Sequence, residues 1–366
     1  MIKVPMVTKT AFAHAGRVRW AIRLIFSLLL ILPVLGCSNQ PPGPESQTDL
    51  VLGTTVTVTI YDEVPNGAFE KIFSRIKEIE EKMSTSEEDY DSTELMKVNR
   101  NAGKRPVEVS QDTFTVVEAG LEFTTLTDGA FDVTVGPLVD LWGIGTEAAS
   151  VPSEEEIAAV LPKIDADKVR LDAEARTIYL EEEGMALDVG GIAKGYAADE
   201  VASMLTEMGV EHALLDFGGN IVTVGKKPNG DEWKIGIQNP GQTRGKYLGI
   251  VTTGPKTIVT SGNYERYFEK DGVRYHHILD TDDGYPSRTG LASVTIVTDR
   301  SMAADALATA AYAMGPETGL EFVRGLQDVE AAFVSKENEV FLTDGMRSVF
   351  SIENEAYSEA SLAQAD

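Results

Sequence analysis

The chain of 366 residues has one cysteine, four histidines and few cations: 32 Lys and Arg stand against 58 Asp and Glu, a formal net charge of −26. A lone cysteine, Cys37, excludes an intramolecular disulfide, so the fold must rest on its apolar core. The shortage of cations argues against a nucleic-acid binder, whose phosphate contacts need clustered Lys and Arg. Any anionic ligand must then be held locally, by backbone N–H groups, a few cations or a metal ion. Long apolar runs are also scarce. The clearest, "LIFSLLLILPVL" at 24–35, is shorter than the roughly 20 residues a membrane-crossing helix needs. What remains is ordinary: 43% hydrophobic and 25% charged residues, in a chain long enough for one large domain or two smaller ones.

The apolar run follows Lys3, Lys9, Arg17, Arg19 and Arg23, with no acid before position 37, which is the layout of a secretory signal. It closes on "VLGCSNQPPGPESQ". A small residue before the lone Cys, followed by a Pro/Gly/Ser stretch, resembles a bacterial lipobox, with Val34 where Leu is usual. The alternative is a buried thiol at Cys37. The lipobox reading predicts a signal peptide over 1–36, a lipid on Cys37 and a flexible tether over 37–48. It would hold the protein on the extracytoplasmic, periplasmic side of a bacterial membrane. Removing the signal strips five positive charges and leaves about −31.

A single domain is expected over 49–350, with an acidic tail at 351–366 that frays. "LVLGTTVTVTIYD", 50–62, alternates Thr with Val or Ile and predicts one half-buried strand. The stretch 66–84 places Phe69, Ile72, Phe73, Ile76, Ile79 and Met83 on one helical face behind Asn66 as N-cap. A helix is predicted over 110–127, and Ser153 with Glu156 predicts a capping box. Residues 176–191 read as two strands and a turn. A helix with Ala197, Val201, Met204, Leu205 and Met208 inward follows, stopped by Gly209. Strands are expected at 212–217, 221–225, 232–237, 247–252 and 292–298, and an Ala-rich helix ends at Gly315. Strands and helices mix without a regular βα alternation, so the fold class is α+β, mixed sheets with packed helices.

Four stretches could carry chemistry. "ALDVGGIAKGYAADEV" puts two glycines between Asp188 and a helix with Lys194 in its first turn, either a phosphate cradle or a tight packing turn. In "AADALATAA", Asp305 and Thr309 lie four apart and share one helix face among alanines. They suit Mg²⁺ as an oxygen pair; alternatively Asp305 pairs with a basic residue and Thr309 bonds back to a carbonyl. "TDGAFDVTVGPLVDLWGIG", with Phe131 and Trp142, would line a flat-ring pocket or simply be core. In "RYHHILDTDDGYP", His276 and His277 point to opposite faces if 273–279 is a strand, so only one serves a given pocket, as a general base or as a structural residue.

Taken together and in order, these stretches resemble the ApbE family of FAD:protein FMN transferases, over about residues 50–345. The matching segments are "LGTTVTVTIY", "MST", "DSTELMKVN", "DGAFDVTVGPLVDLWG", "LDVGGIAKGYAAD", "LLDFGGNI", "TSGNYERYF", "HILD…GYP" and "ADALATAAYAMG". The resemblance implies a single T-fold-related catalytic domain that moves FMN from FAD to a Thr or Ser of an acceptor redox protein, releasing AMP, with Mg²⁺. It also implies roles: His277 as base; Leu52, Ser86, Ala130, Phe131, Asp132, Asp188, Lys194 and Ile278 at FAD; Gly191, Asp305 and Thr309 at the metal. The sequence departs from the family pattern at Leu52 for Met, at Ser86 where an aromatic is common, and at Thr281 and Asp283 in "DTDDGYP". Alternatives are an FAD pyrophosphatase yielding FMN and AMP, or an FAD-binding lipoprotein without chemistry.

Overall fold

A computed structural model of the chain describes residues 43–86, 92–243 and 245–362. The signal-peptide segment and Cys37 lie outside these residues. Seventeen strands and eight α-helices are described. In chain order the strands are β1 (Glu45–Val51), β2 (Thr54–Ile60), β3 (Val107–Glu108), β4 (Val169–Asp172), β5 (Thr177–Leu180), β6 (Ala213–Phe217), β7 (Asn220–Val224), β8 (Trp233–Gln238) and β9 (Tyr247–Thr253). They continue with β10 (Thr257–Gly262), β11 (Tyr267–Lys270), β12 (Val273–His276), β13 (Leu291–Thr298), β14 (Glu330–Ser335), β15 (Glu339–Leu342), β16 (Phe350–Ile352) and β17 (Ser358–Glu359). The helices are α1 (Ala68–Met83), α2 (Glu94–Arg100), α3 (Gln111–Leu126), α4 (Gly136–Trp142), α5 (Glu154–Val160), α6 (Ala193–Glu207), α7 (Ser301–Arg324) and α8 (Asp344–Val349).

The frame is a nine-stranded sheet of order β1-β2-β6-β7-β10-β13-β14-β15-β17. Its pairings are antiparallel except the last, β15 with β17. The alternation in "TTVTVTI" buries Val56, Val58 and Ile60 and turns Thr55, Thr57 and Thr59 to the other face. β13 is buried along its whole length, as a central strand covered on both faces must be. The mixed α+β architecture expected from the sequence is the one observed.

Against the sheet lie α6 and α7. Ala304, Ala306, Ala308, Ala310 and Ala311 of α7 are buried, and their small side chains let the helix backbone approach its neighbours closely. Where α6 crosses α7 there is room only for glycine: a Cβ on Gly195 would sit 2.3 Å from the Ser301 carbonyl oxygen. A break at Gly315 (φ 82°, ψ 179°), followed by Pro316, interrupts α7 where the sequence predicts its end, and a further helical stretch follows.

Several expectations are corrected. Residues 50–62 are not one strand: Leu52 (φ 56°) and Gly53 (φ 64°) form a two-residue turn, so β1 begins inside the expected tether and pairs with β2. Asn66 does not cap α1. Pro65 and Gly67 (φ 70°) supply the turn, with the Ala68 N–H donating to the Pro65 carbonyl. The second strand of 176–191 is missing because the Asn99 side chain takes both the N–H and the carbonyl of Leu187, at 2.8 and 2.9 Å. The acidic tail does not fray within the described residues. β16 pairs with β9, β17 with β15, and Tyr357 is buried with its hydroxyl 2.8 Å from Asn239 Oδ1. The Ser153–Glu156 capping box forms as predicted.

The hairpin β11–β12 forms a separate two-stranded sheet, turned at Asp271 (φ 53°) and Gly272 (φ 77°). Phe268 stacks on Tyr275 with ring centroids 5.3 Å apart, and both lie against Trp142 of α4.

Candidate active site

A cleft of about 480 Å³ gathers residues from nearly every stretch singled out in the sequence. Leu52, Ser86, Ala130, Phe131, Asp132, Asp188, Gly191, Lys194, His277, Ile278, Asp305 and Thr309 all line it. Leu52 comes from the β1–β2 turn, Ser86 from beyond α1, and residues 130–132 from the loop between α3 and α4. Asp188 to Lys194 run from an extended segment into the start of α6.

At the floor, Asp305 is a buried carboxylate, 3% exposed. It is compensated from two sides: the Lys194 ammonium lies 3.2 and 3.3 Å from its oxygens, and the Gly195 N–H donates to Oδ2 at 3.0 Å. Lys194 also donates to the Gly190 carbonyl at 3.0 Å. One turn along α7, the Thr309 hydroxyl donates to the Asp305 carbonyl at 3.2 Å, with Ser261 Oγ 3.4 Å away. Both alternatives to metal ligation therefore exist in this structure, a basic partner and a back-bond, although both residues still face the cleft.

The donor chemistry nevertheless suits a hard cation. A carboxylate, an alcohol and backbone carbonyls supply oxygen and no nitrogen or sulfur, as Mg²⁺ prefers. Gly191 is close enough to take part: a Cβ there would be 3.5 Å from Thr309 Oγ1. No cluster of three or more His, Cys, Asp or Glu side chains suited to a metal occurs among the described residues. Water or substrate oxygens would have to complete the coordination shell, and the ammonium beside Asp305 marks a position where positive charge is favoured.

On one wall, Asp188 accepts from the Gly190 N–H at 2.8 Å and holds the glycine pair in shape. Burial pushes the Asp132 carboxyl above its ordinary value, while the Thr134 N–H and hydroxyl, at 2.7 and 2.6 Å, act in the opposite sense. Phe131 and Trp142 are buried and contribute to an otherwise aliphatic wall with Val135, Val139 and Ile144. Ser86 lines the cleft without an aromatic ring, its N–H bonded to Ser84 Oγ at 3.1 Å. Thr281, the departure in "DTDDGYP", donates to the Gly129 carbonyl at 3.1 Å and ties that turn to the 130–132 loop.

β12 ends at His276, short of the 273–279 considered from the sequence, yet the two histidines still separate. His276 is buried beside Tyr312, with Nε2 3.0 Å from the Ser287 carbonyl. His277 is half-buried and faces the cleft. The protein packed around its ring and the Arg266 guanidinium hold its pKa well below the usual histidine range. Its Nδ1 lies 3.2 Å from the Arg266 carbonyl, an acceptor only, so Nδ1 carries the proton and Nε2 the lone pair. Sequence reasoning quoted "TSGNYERYF" but assigned none of its residues a role, yet Ser261, Gly262, Glu265 and Arg266 all line the cleft.

The model of the ApbE family matches residues 52–333. A protein of Treponema pallidum named FAD:protein FMN transferase is 36% identical over 348 residues, covering 90% of this chain and 94% of its own. One of the same name from Klebsiella pneumoniae is 35% identical over 306 residues, covering 84% of this chain and 94% of its own. Among solved structures, the ApbE protein of Thermotoga maritima superposes with a TM-score of 0.77 at 33% identity, covering 84% of this chain and 99% of that one. The flavin transferase ApbE of Vibrio cholerae gives 0.74 at 29% identity, with the same coverage of both chains.

Proposed function

The chain belongs to the ApbE family, and on that premise we propose that it transfers the FMN half of FAD to a Thr or Ser hydroxyl of an acceptor protein, releasing AMP. The observation that carries this reading is one cleft lined by the His277 imidazole, the Lys194 ammonium, the buried Asp305 carboxylate and the Thr309 alcohol one turn from it. In it the FAD diphosphate is held by Lys194 and the backbone around Gly190 and Gly191, with Asp188 fixing the turn. Leu52, Ser86, Ile278 and the 130–132 backbone bound the rings of the dinucleotide.

His277 Nε2 takes the proton of the acceptor hydroxyl. The hydroxyl oxygen bonds to the FMN-side phosphorus, the bond from that phosphorus to the bridging oxygen breaks, and its electron pair leaves on AMP. Base catalysis of this kind contributes roughly 10²–10⁴ in rate. A low pKa keeps the ring neutral and able to accept at neutral pH. Mg²⁺ held by Asp305, Thr309 and the Gly191 carbonyl would neutralise the diphosphate and the departing charge. A lipid on Cys37 would set the enzyme on the outer face of the cell membrane, where an acceptor redox protein is within reach.

The test is incubation of the purified protein with FAD, Mg²⁺ and a candidate acceptor, read by mass spectrometry for an added FMN. His277→Ala is expected to lose transfer by at least about 100-fold while still retaining FAD. Near-normal transfer by that variant removes the histidine from the mechanism. AMP released without any modified acceptor identifies hydrolysis instead.

A further inference from the structure

We propose that the Arg266 guanidinium is a catalytic residue that grips the phosphoryl group transferred to the acceptor, alongside His277. The inference rests on the transferase reading and adds to it a group that no sequence stretch had been assigned. Five carboxylates line the cleft, Glu80, Asp132, Asp188, Glu265 and Asp305, against only two permanent cations, Lys194 and Arg266. Lys194, placed above at the FAD diphosphate, shares its ammonium with Asp305 and the Gly190 carbonyl. Arg266 is different: among the described residues its guanidinium makes no hydrogen bond or ion pair, although it lines the cleft.

Its placement is built by the hairpin. Arg266 immediately precedes β11 and His277 immediately follows β12, so the two residues close the open end of the stem. The His277 N–H donates to the Arg266 carbonyl at 3.2 Å, the same carbonyl that faces Nδ1. One residue thus directs the imidazole with its backbone and carries a five-donor cation beside it. The arginine stem runs past Gly145, where even a Cβ would come within 3.5 Å of Cδ.

A phosphoryl group under attack spreads negative charge over its non-bridging oxygens, and a planar fork binds two of them at once. An acceptor proton moving to His277 adds a second positive charge nearby, so the guanidinium must be drawn onto the phosphate for both to coexist. The step is unchanged in its balance: oxygen bonds to phosphorus, the bridging bond breaks onto AMP, and the proton goes to His277.

The experiment compares wild type, Arg266→Ala and Arg266→Lys with FAD, Mg²⁺ and an acceptor, reading kcat, KM for FAD and thermal midpoint. Arg266→Ala is expected to lose kcat by about 10²–10³-fold, the cost of removing one preorganised charge-stabilising donor, and to regain part of it when methylguanidinium is added. Arg266→Lys, a point charge without the fork, is expected to fall about tenfold. A folded Arg266→Ala that transfers within about threefold of wild type overturns the assignment. Should Arg266→Ala fail to fold, Arg266→Lys decides, and an unchanged kcat there overturns it. Wild-type protein that modifies no acceptor sinks the transferase reading itself, whereas normal wild-type transfer with indifferent variants sinks only this inference.

Discussion

His276 and His277 are neighbours in the chain, and the pleat of a strand end sends them to different surroundings. Burial pushes His276 down to about 4, and its Nδ1 lies buried without a partner. The sign of its linkage follows. Between its unfolded value near 6.5 and about 4, the unfolded chain binds more protons than the folded one, so stability rises with pH. The full difference is on the order of 3 kcal/mol, lost as pH falls through that window. Urea unfolding at pH 7 and pH 4 should show His276→Leu losing less stability over the interval than wild type; equal losses would deny the effect. That one of the two histidines faces a pocket was legible from period-two geometry. Arg266 was not, because an exposed arginine in a loop has no periodicity to mark it. Asp305 and Thr309 were legible as a pair from their spacing, but the spacing could not say whether Lys194, more than a hundred residues earlier, reaches them.

At the scale of elements, α1, α3, the α5 cap and most strands could be read because each has a local period or a capping residue. The errors have non-local causes. Asn99 displaces a strand pairing at Leu187 from 88 residues away. β14, "EAAFVS", is buried on both faces and lacks the alternation that would announce it. The contact that shapes the site most directly is the α6–α7 crossing, which brings Lys194 to Asp305. Gly195→Ala would force a Cβ against the Ser301 backbone. We expect it to cost about 1–3 kcal/mol in denaturant unfolding and to weaken FAD binding as the helices part. A variant as stable as wild type would mean the crossing yields without loss.

On the scale of the whole molecule, net charge bears on the proposed lipid anchor. The chain's net charge of −26 disfavours adsorption to an anionic membrane surface. The membrane position proposed above would therefore depend on a covalent lipid on Cys37. Cys37→Ser is expected to shift the protein from the membrane to the soluble fraction and to abolish the mass increment of an acylated N-terminus. Wild type already soluble and unmodified would remove the anchor from the proposal. With one cysteine in the chain, the fold rests on apolar packing, and four buried apolar clusters occur among the described residues.

The β11–β12 hairpin separates two jobs along its length. Its root sets the spacing between His277 and Arg266, and its far end, with Val273 half exposed to solvent, takes no part in that spacing. Lengthening the Asp271–Gly272 bend would therefore leave the root register unchanged. That bend is the natural point at which to splice a reporter or a recognition peptide into the enzyme without disturbing its chemistry.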